Sequence, residues 1–229
     1  MGNYAAMWER FGGMIIQSIG RHAVITLTAE CLGILIALPL GIFLSYHKKA
    51  AQPILAFFGV INTIPSLALL GVAMIVLGLG FAPAVVVLFL YSILPILRNT
   101  FTGVTQVDKK YIRAARGMGM SEWQTLWRVK LPLALPVILA GIRISTVYVV
   151  SWGTLAAFIG GGGLGDPIWM GMQGYNFPLM FAGAIPTTLM ALAFSFVLGR
   201  VQAFAQHRST RETPKAQKPL SAARGEAQV

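Results

Sequence analysis

Charge is scarce in this sequence, and acidic charge is scarcest. Of 229 residues seven are Asp or Glu, all charged residues together make 11%, and hydrophobic residues make 56%. A water-soluble globule of this size needs more polar surface than that to cover its exterior, so lipid is the expected solvent. Cysteine is limited to Cys31, inside an apolar run, which excludes an intrachain disulfide framework and a cysteine-based zinc site. The three histidines, His22, His47 and His207, flank the apolar runs or lie near the carboxyl end. No carboxylate pair lies within the runs, so the acid–base set of a membrane enzyme is missing. No Gly-x-x-x-x-Gly-Lys-Ser/Thr occurs, which excludes ATP binding by that motif. Basic residues outnumber acidic ones for a net charge of +11. They sit in short clusters beside apolar runs rather than along one polar face, which argues against a nucleic-acid partner.

What is abundant is apolar sequence in lengths suited to a bilayer. A hydrocarbon core of about 30 Å needs about 20 apolar residues in a helix. Five runs qualify: 23–46, 53–78 with a break at Asn62-Thr-Ile-Pro-Ser66, 81–101, 132–158 and 177–204. Prolines 39, 65, 95, 136 and 186 mark kinks, which neighbouring helices can tolerate by satisfying freed carbonyls. Residues 1–22, interrupted by Glu9, Arg10 and Gln17, are expected to form an amphipathic lead-in helix rather than a cleavable leader. Residues 205–229 turn polar and are expected to be a disordered basic tail. The short segments 47–52, 103–130 and 200–229 carry two, six and six Lys or Arg, whereas 78–80 and 160–176 carry none. Cytoplasmic loops are the Lys/Arg-rich ones, so this pattern predicts the amino terminus outside and the carboxyl terminus inside, against the weak contrary pull of Arg10 and Arg21.

Between the third and fourth runs lies a segment far longer than a turn requires, with a transmembrane domain of 23–204 on either side of it. Within 103–132, Asp108 is placed to cap a first short helix that ends at Gly117 or Gly119, where glycine accepts a positive φ. Ser121 followed by Gln124 forms a capping-box pattern for a second helix, whose Trp123, Leu126 and Trp127 share a face. Pro132 is expected to open the next helix. By shape alone the hairpin suits either a knob gripped by a partner's groove or an amphipathic loop lying on lipid.

The residues of this loop decide between the two by resemblance. Ala114-Ala115, then Gly119, then Leu131-Pro132 resembles the Glu-Ala-Ala signature of binding-protein-dependent ABC importer permeases, in which the loop inserts into a separate ATPase subunit. The resemblance covers nearly all of 23–199 and is nearest to the osmoprotectant branch, which imports glycine betaine, choline or carnitine. Asn62-Thr-Ile-Pro-Ser-Leu-Ala-Leu-Leu-Gly71, Leu94-Pro-Ile-Leu-Arg-Asn-Thr-Phe-Thr-Gly103 and the loop itself carry it. It implies an all-α integral membrane protein of the type I importer fold, with five transmembrane helices and a coupling-helix hairpin. It further implies an ATPase subunit that holds ATP and Mg, a second permease, and an external substrate-binding protein, with no cofactor in this chain. The coupling residues it marks are Arg113, Ala114, Ala115, Gly117, Gly119, Ser121, Glu122, Leu131 and Pro132. The first signature position, Glu in the family, is Arg113 here, and an acid appears instead at Glu122. The two charges are read as having traded roles, so that Arg113 meets an acidic ATPase residue. The run Gly160-Gly-Gly-Gly-Leu-Gly165 formally matches a dinucleotide fingerprint, but it follows a membrane run rather than a strand and reads as a tight connector.

Three charged residues lie well inside the runs, Arg200 falling at the basic end of the last, and such groups need a partner, water or an interface. Arg98, near a helix end, can snorkel, and Arg143, about 10 Å past Pro136, is given the same reading. Glu30 is expected either to pair with a cation or to bond a neighbouring Thr, with a translocation-path role as the alternative. Tyr148 and Trp152, four apart, could line a path for a quaternary ammonium ion, pack the core or anchor the helix; Trp169 and Tyr175 read as interfacial anchors. Ser145, Thr146 and Ser151 suit helix–helix contacts. A channel, a secondary carrier or an ABC permease for another small solute such as an amino acid are the competing functions. The signature loop and the lack of an internal repeat separate the channel and the secondary carrier from the importer reading, and leave the ABC permease for another solute as its alternative.

Overall fold

The computed structural model describes residues 4–211, with side chains from Trp8 to Gln206, and among them helix is the only regular structure. The first helix, α1 (Tyr4–Tyr46), runs 43 residues without a break. The expected boundary at residue 22 between a lead-in helix and a crossing is therefore absent. Nothing near Arg21 interrupts the backbone ladder, and one buried stripe runs past it on both sides. Ile15, Ser18, His22, Ile25, Ala29, Ala37 and Leu44 are buried on it, three or four apart where neighbours are consecutive, which is one side of a 3.6-residue helix. At about 1.5 Å per residue α1 is about 64 Å long, roughly twice the hydrocarbon thickness.

The second run is broken where Pro65 demands it. α2 (Lys48–Thr63) and α3 (Ser66–Leu77) meet at 94°, with Ile64 between them at φ −67°, ψ 130°, the extended conformation a residue before proline prefers. The Tyr91 hydroxyl donates to the Ile64 carbonyl at 2.5 Å, satisfying an acceptor that lipid could not. Four helical runs, Trp8–Tyr46, Phe81–Thr105, Glu122–Ile159 and Phe177–Gln206, are each long and apolar enough to cross alone. Two side-chain contacts fix levels across the slab. Lys130 donates to the Tyr46 hydroxyl at 3.3 Å and sits 4.4 Å from its ring centre. Arg21 donates to the Gly161 carbonyl at 3.1 Å and sits 4.8 Å from the Phe81 ring centre. The α2–α3 pair thus leaves from the Tyr46 level and delivers the chain to the Phe81 level, which makes it the fifth crossing.

The central helix α4 (Phe81–Thr105) packs between α1 and α7 (Leu131–Trp152), α9 (Phe177–Arg211) covers the other side of α7, and α8 (Gly165–Gln173) braces α9. Lipid supplies little hydrophobic drive between helices, so close approach depends on small residues. A Cβ on Gly41 would lie 2.7 Å from Thr100 Cβ, and one on Gly141 would lie 2.9 Å from the Pro95 carbonyl oxygen. α9 continues through residues 205–211, so the polar stretch read as tail begins as helix; residues 212–229 of that predicted tail lie outside the described residues.

Candidate functional site

The loop between α4 and α7 is a pair of short helices closed by local caps. α5 (Lys109–Gly117) starts at Asp108, whose carboxylate accepts from the Lys110 amide at 2.9 Å. That bond, with the Lys110 ammonium 3.2 Å away, holds the Asp108 carboxyl below the usual range. α5 ends in a double bond pattern: Gly119 N–H to Arg116 O at 2.9 Å and Met120 N–H to Ala115 O at 3.1 Å, with Gly119 at φ +78°. This is a Schellman stop, and it selects Gly119 over Gly117 as the glycine that must turn left-handed. α6 (Glu122–Thr125) opens with the full capping box: Gln124 N–H to Ser121 Oγ at 3.2 Å and Ser121 N–H to Gln124 Oε1 at 2.9 Å.

The signature residues are not all presented alike. Arg113, Ala114, Gly117, Gly119, Ser121 and Glu122 are exposed, whereas Ala115 is buried beneath them. Glu122 is bound to Arg116 at 2.6 Å, so the acid across the turn is committed to Arg116, and Arg113 has no ion pair among the described residues. Trp123 and Trp127 meet edge-on at 5.5 Å, both largely exposed, while Leu126 between them is buried. Pro132 does not open a separate helix. α6, a π-helical segment Leu126–Lys130, α7 and a 3-10 segment Gly153–Ile159 form one continuous run. The wide π turn routes the Leu131 N–H to Leu126 O, a geometry that admits proline one residue later without breaking the rod.

Inside the slab, Glu30 is buried between α1 and α7. It accepts from Ser145 Oγ at 2.8 Å and Thr146 Oγ1 at 3.1 Å, so of the two expected arrangements the hydroxyl one is observed. Both hydroxyls are helix–helix contacts, as the pattern of α7 suggested; Ser151 instead bonds its own helix at Val147 O, 2.8 Å. Glu30→Gln, which keeps an acceptor, is expected to leave the stability of the purified protein near wild type, and Glu30→Leu to lower it by about 1–2 kcal/mol. Equal losses for the two in denaturation by detergent would remove the hydrogen bonds as the reason for this carboxyl. Tyr148 and Trp152 stack at 5.4 Å, and Trp152 also packs edge-on against buried Tyr91 at 4.6 Å. Trp152 is thus tied into the core, and Tyr148 is the exposed end of the ladder. Trp169 lies on Phe158 at 4.5 Å, and Tyr175 is 87% exposed.

Two contacts had no signal in the sequence. His22 is fully buried, with Nε2 3.0 Å from the Val150 carbonyl and Nδ1 3.4 Å from the Leu164 N–H. A carbonyl can only accept, so the proton is on Nε2, and the ring joins α1 to α7 and to the glycine connector. Arg143 turns sideways rather than toward an interface, donating Nε to Ser195 on α9 at 2.9 Å.

Residues 32–211 match the family described as binding-protein-dependent transport system inner membrane component. The chain belongs to that family. This permease is 46% identical to the glycine betaine/carnitine/choline transport system permease protein OpuCB of Bacillus subtilis, over 82% of this chain and 86% of that one. It is 44% identical to the carnitine transport permease protein OpuCB of Listeria monocytogenes, over 91% and 93%. Among solved structures, a chain of the MetNI methionine ABC transporter in an inward-facing conformation superposes with a TM-score of 0.77 at 22% identity, covering 86% of this permease and 98% of that chain. That likeness places the permease in the type I ABC importer fold. Among its described residues no group of three His, Cys, Asp or Glu side chains is arranged to hold a metal ion.

Proposed function

We propose that this permease carries quaternary ammonium osmoprotectants across the plasma membrane as the membrane-spanning subunit of an ATP-driven importer. The observation that carries the reading is the capped, exposed helix pair between α4 and α7 in a chain 46% identical to a glycine betaine/carnitine/choline permease. A channel has no use for such a hairpin, and a secondary carrier built from repeats needs a second copy of its broken helix. The docking surface comprises Arg113, Ala114, Gly117, Gly119, Ser121 and Glu122, with Ala115 buried beneath it and Leu131 and Pro132 at the start of α7 beside it. ATP and Mg belong to the ATPase subunit that docks there, and an external binding protein delivers substrate. Five crossings are too few to enclose a path, so a second permease, identical or related, completes it about a twofold axis. The loop faces the cytoplasm and the amino terminus lies outside, because fourteen Lys or Arg fall in the three segments on the loop side, against Arg10 and Arg21.

Uptake of radiolabelled glycine betaine by the assembled complex in vesicles is the test. An ATPase subunit that assembles but cannot hydrolyse ATP is expected to reduce concentrative uptake to the level of empty vesicles. Uptake that persists with the dead ATPase would favour a secondary carrier.

A further inference from the structure

Arg143 lies near the middle of α7, twelve residues beyond Leu131, or about 18 Å of helix. Counted from Lys130, the last charged residue of the loop, that depth exceeds what an arginine side chain spans in reaching back to the loop side. Yet Arg143 is exposed on the single chain. Nε is spent on Ser195, and the plane rests over Gly199, where a Cβ would come within 3.3 Å of Nη1. Its two terminal amino groups find no acceptor among the described residues. A second copy of this chain offers no exposed described acid at that depth, because Glu30, level with Ser145 and Thr146, is buried and hydrogen-bonded to them. Its described acids are Glu9 near the start of α1, Glu30 buried in the bundle, Asp108 and Glu122 in the loop, and Asp166 in the connector. An uncovered mid-membrane guanidinium with free donors marks a water-filled or ligand-filled face.

That face is also a groove. Between α7 and α9 runs an open cavity of ≈ 420 Å³, whose walls include Val147, Ser151, Thr187, Thr188, Leu192 and Ser195. Arg143 stands at its Ser195 end. The hydroxyls of Ser151, Thr187 and Thr188 each donate to a carbonyl of their own helix, at 2.8, 2.8 and 3.0 Å, so toward the groove they offer oxygen lone pairs and no proton. Such walls suit a group with positive charge and no hydrogen-bond acceptor, which describes a trimethylammonium. They cannot serve a carboxylate, which needs donors. Arg143 supplies those, beside the hydroxyl of Ser195 to which its Nε donates, in the fork geometry that matches a carboxylate.

We propose that Arg143 and the α7–α9 groove form a substrate site for zwitterions, with the guanidinium taking the carboxylate and the hydroxyl-lined groove taking the quaternary ammonium end. The site rests on the osmoprotectant reading above and sharpens it, since it separates substrates that carry a carboxylate from those that do not.

The experiment compares glycine betaine with choline, which lacks the carboxylate, in the reconstituted complex of ATPase, both permeases and binding protein. Rates are read at saturating substrate, so that capture by the binding protein does not limit them. Arg143→Gln is expected to lower the glycine betaine rate by about tenfold or more while the choline rate changes by less than about threefold, the scale of losing a charged hydrogen bond. Arg143→Lys is expected to restore part of the glycine betaine rate. An equal fall for both substrates that Lys does not relieve, or no fall for either, overturns the site. Loss of the second permease from the purified Arg143→Gln complex does the same, by assigning Arg143 to subunit pairing. A wild-type complex that carries neither compound instead overturns the osmoprotectant reading beneath it.

Discussion

Arg113→Glu is expected to weaken association with the ATPase subunit by about thirtyfold or more, while leaving membrane insertion and the fold of the permease unchanged. Arg113 stands exposed on α5, and the acid that could have neutralised it from within, Glu122, is held by Arg116 at 2.6 Å. Of the four cations on that short helix Lys110 and Arg116 are paired with Asp108 and Glu122, which leaves Lys109 and Arg113 to favour an acidic partner surface. Close charge pairs across an interface couple by about 1.5–7 kcal/mol, and reversal replaces attraction by repulsion. Arg113→Ala should therefore fall between wild type and the reversal. Co-purification of the ATPase from solubilised membranes measures this directly. If Arg113→Glu retains wild-type amounts, the exchange of charge with an acidic ATPase residue is wrong.

Gly165→Val is expected to have the largest effect on folding. A Cβ at Gly165 would sit 1.9 Å from the Thr154 carbonyl oxygen and 2.8 Å from its carbon. The obstacle is backbone of the 3-10 segment, which cannot rotate away as a side chain could. The neighbouring Leu164 is itself pinned, its N–H toward His22 and its carbonyl 2.8 Å from where a Gly183 Cβ would lie. Overpacking typically costs about 1–3 kcal/mol, and a fixed backbone obstacle belongs at or above the top of that range. Gly59→Ala in α2, where nothing lies within 4 Å of the place its methyl group would take, is the matched control and should gain up to about 1 kcal/mol of helix stability. Thermal unfolding in detergent reads both; a Gly165→Val midpoint near wild type would mean the connector can shift bodily.

What the sequence made legible was local. Asp108, Ser121 with Gln124, and the glycine stop at 117 or 119 were readable because a cap is decided within a few residues of itself. The bend at Pro65 was readable because proline constrains its own neighbour. The five apolar runs followed from length and composition, and the two-helix loop from its caps, while its coupling role came only from resemblance. What stayed hidden was set by distant parts of the chain. No periodicity announces that Arg143 will lie over Gly199, or that His22 will bond Val150, 128 positions away. The alanines at 114 and 115 look equivalent in sequence, yet α5 turns one outward and the other inward. The unbroken length of α1 and the π turn before Pro132 were missed for a related reason. Composition changes at both places while the helix runs on, as unbroken α-helix past Arg21 and by way of a π turn before Pro132.

That π turn has a mechanical consequence. Because it splices the loop helix onto α7, the run Glu122–Ile159 is a single stiff beam of 38 residues. Two close seats fall near the middle of the beam: Gly103 of α4, whose Cβ position lies 3.1 Å from Val137, and Gly141, pressed against Pro95 and Asn99. A push at Glu122 therefore has a fulcrum to work against, and the arm beyond it ends at Ile159, whose carbonyl holds Gly80 at 2.8 Å. A displacement at Glu122 is therefore expected to reach Ile159 with its direction reversed.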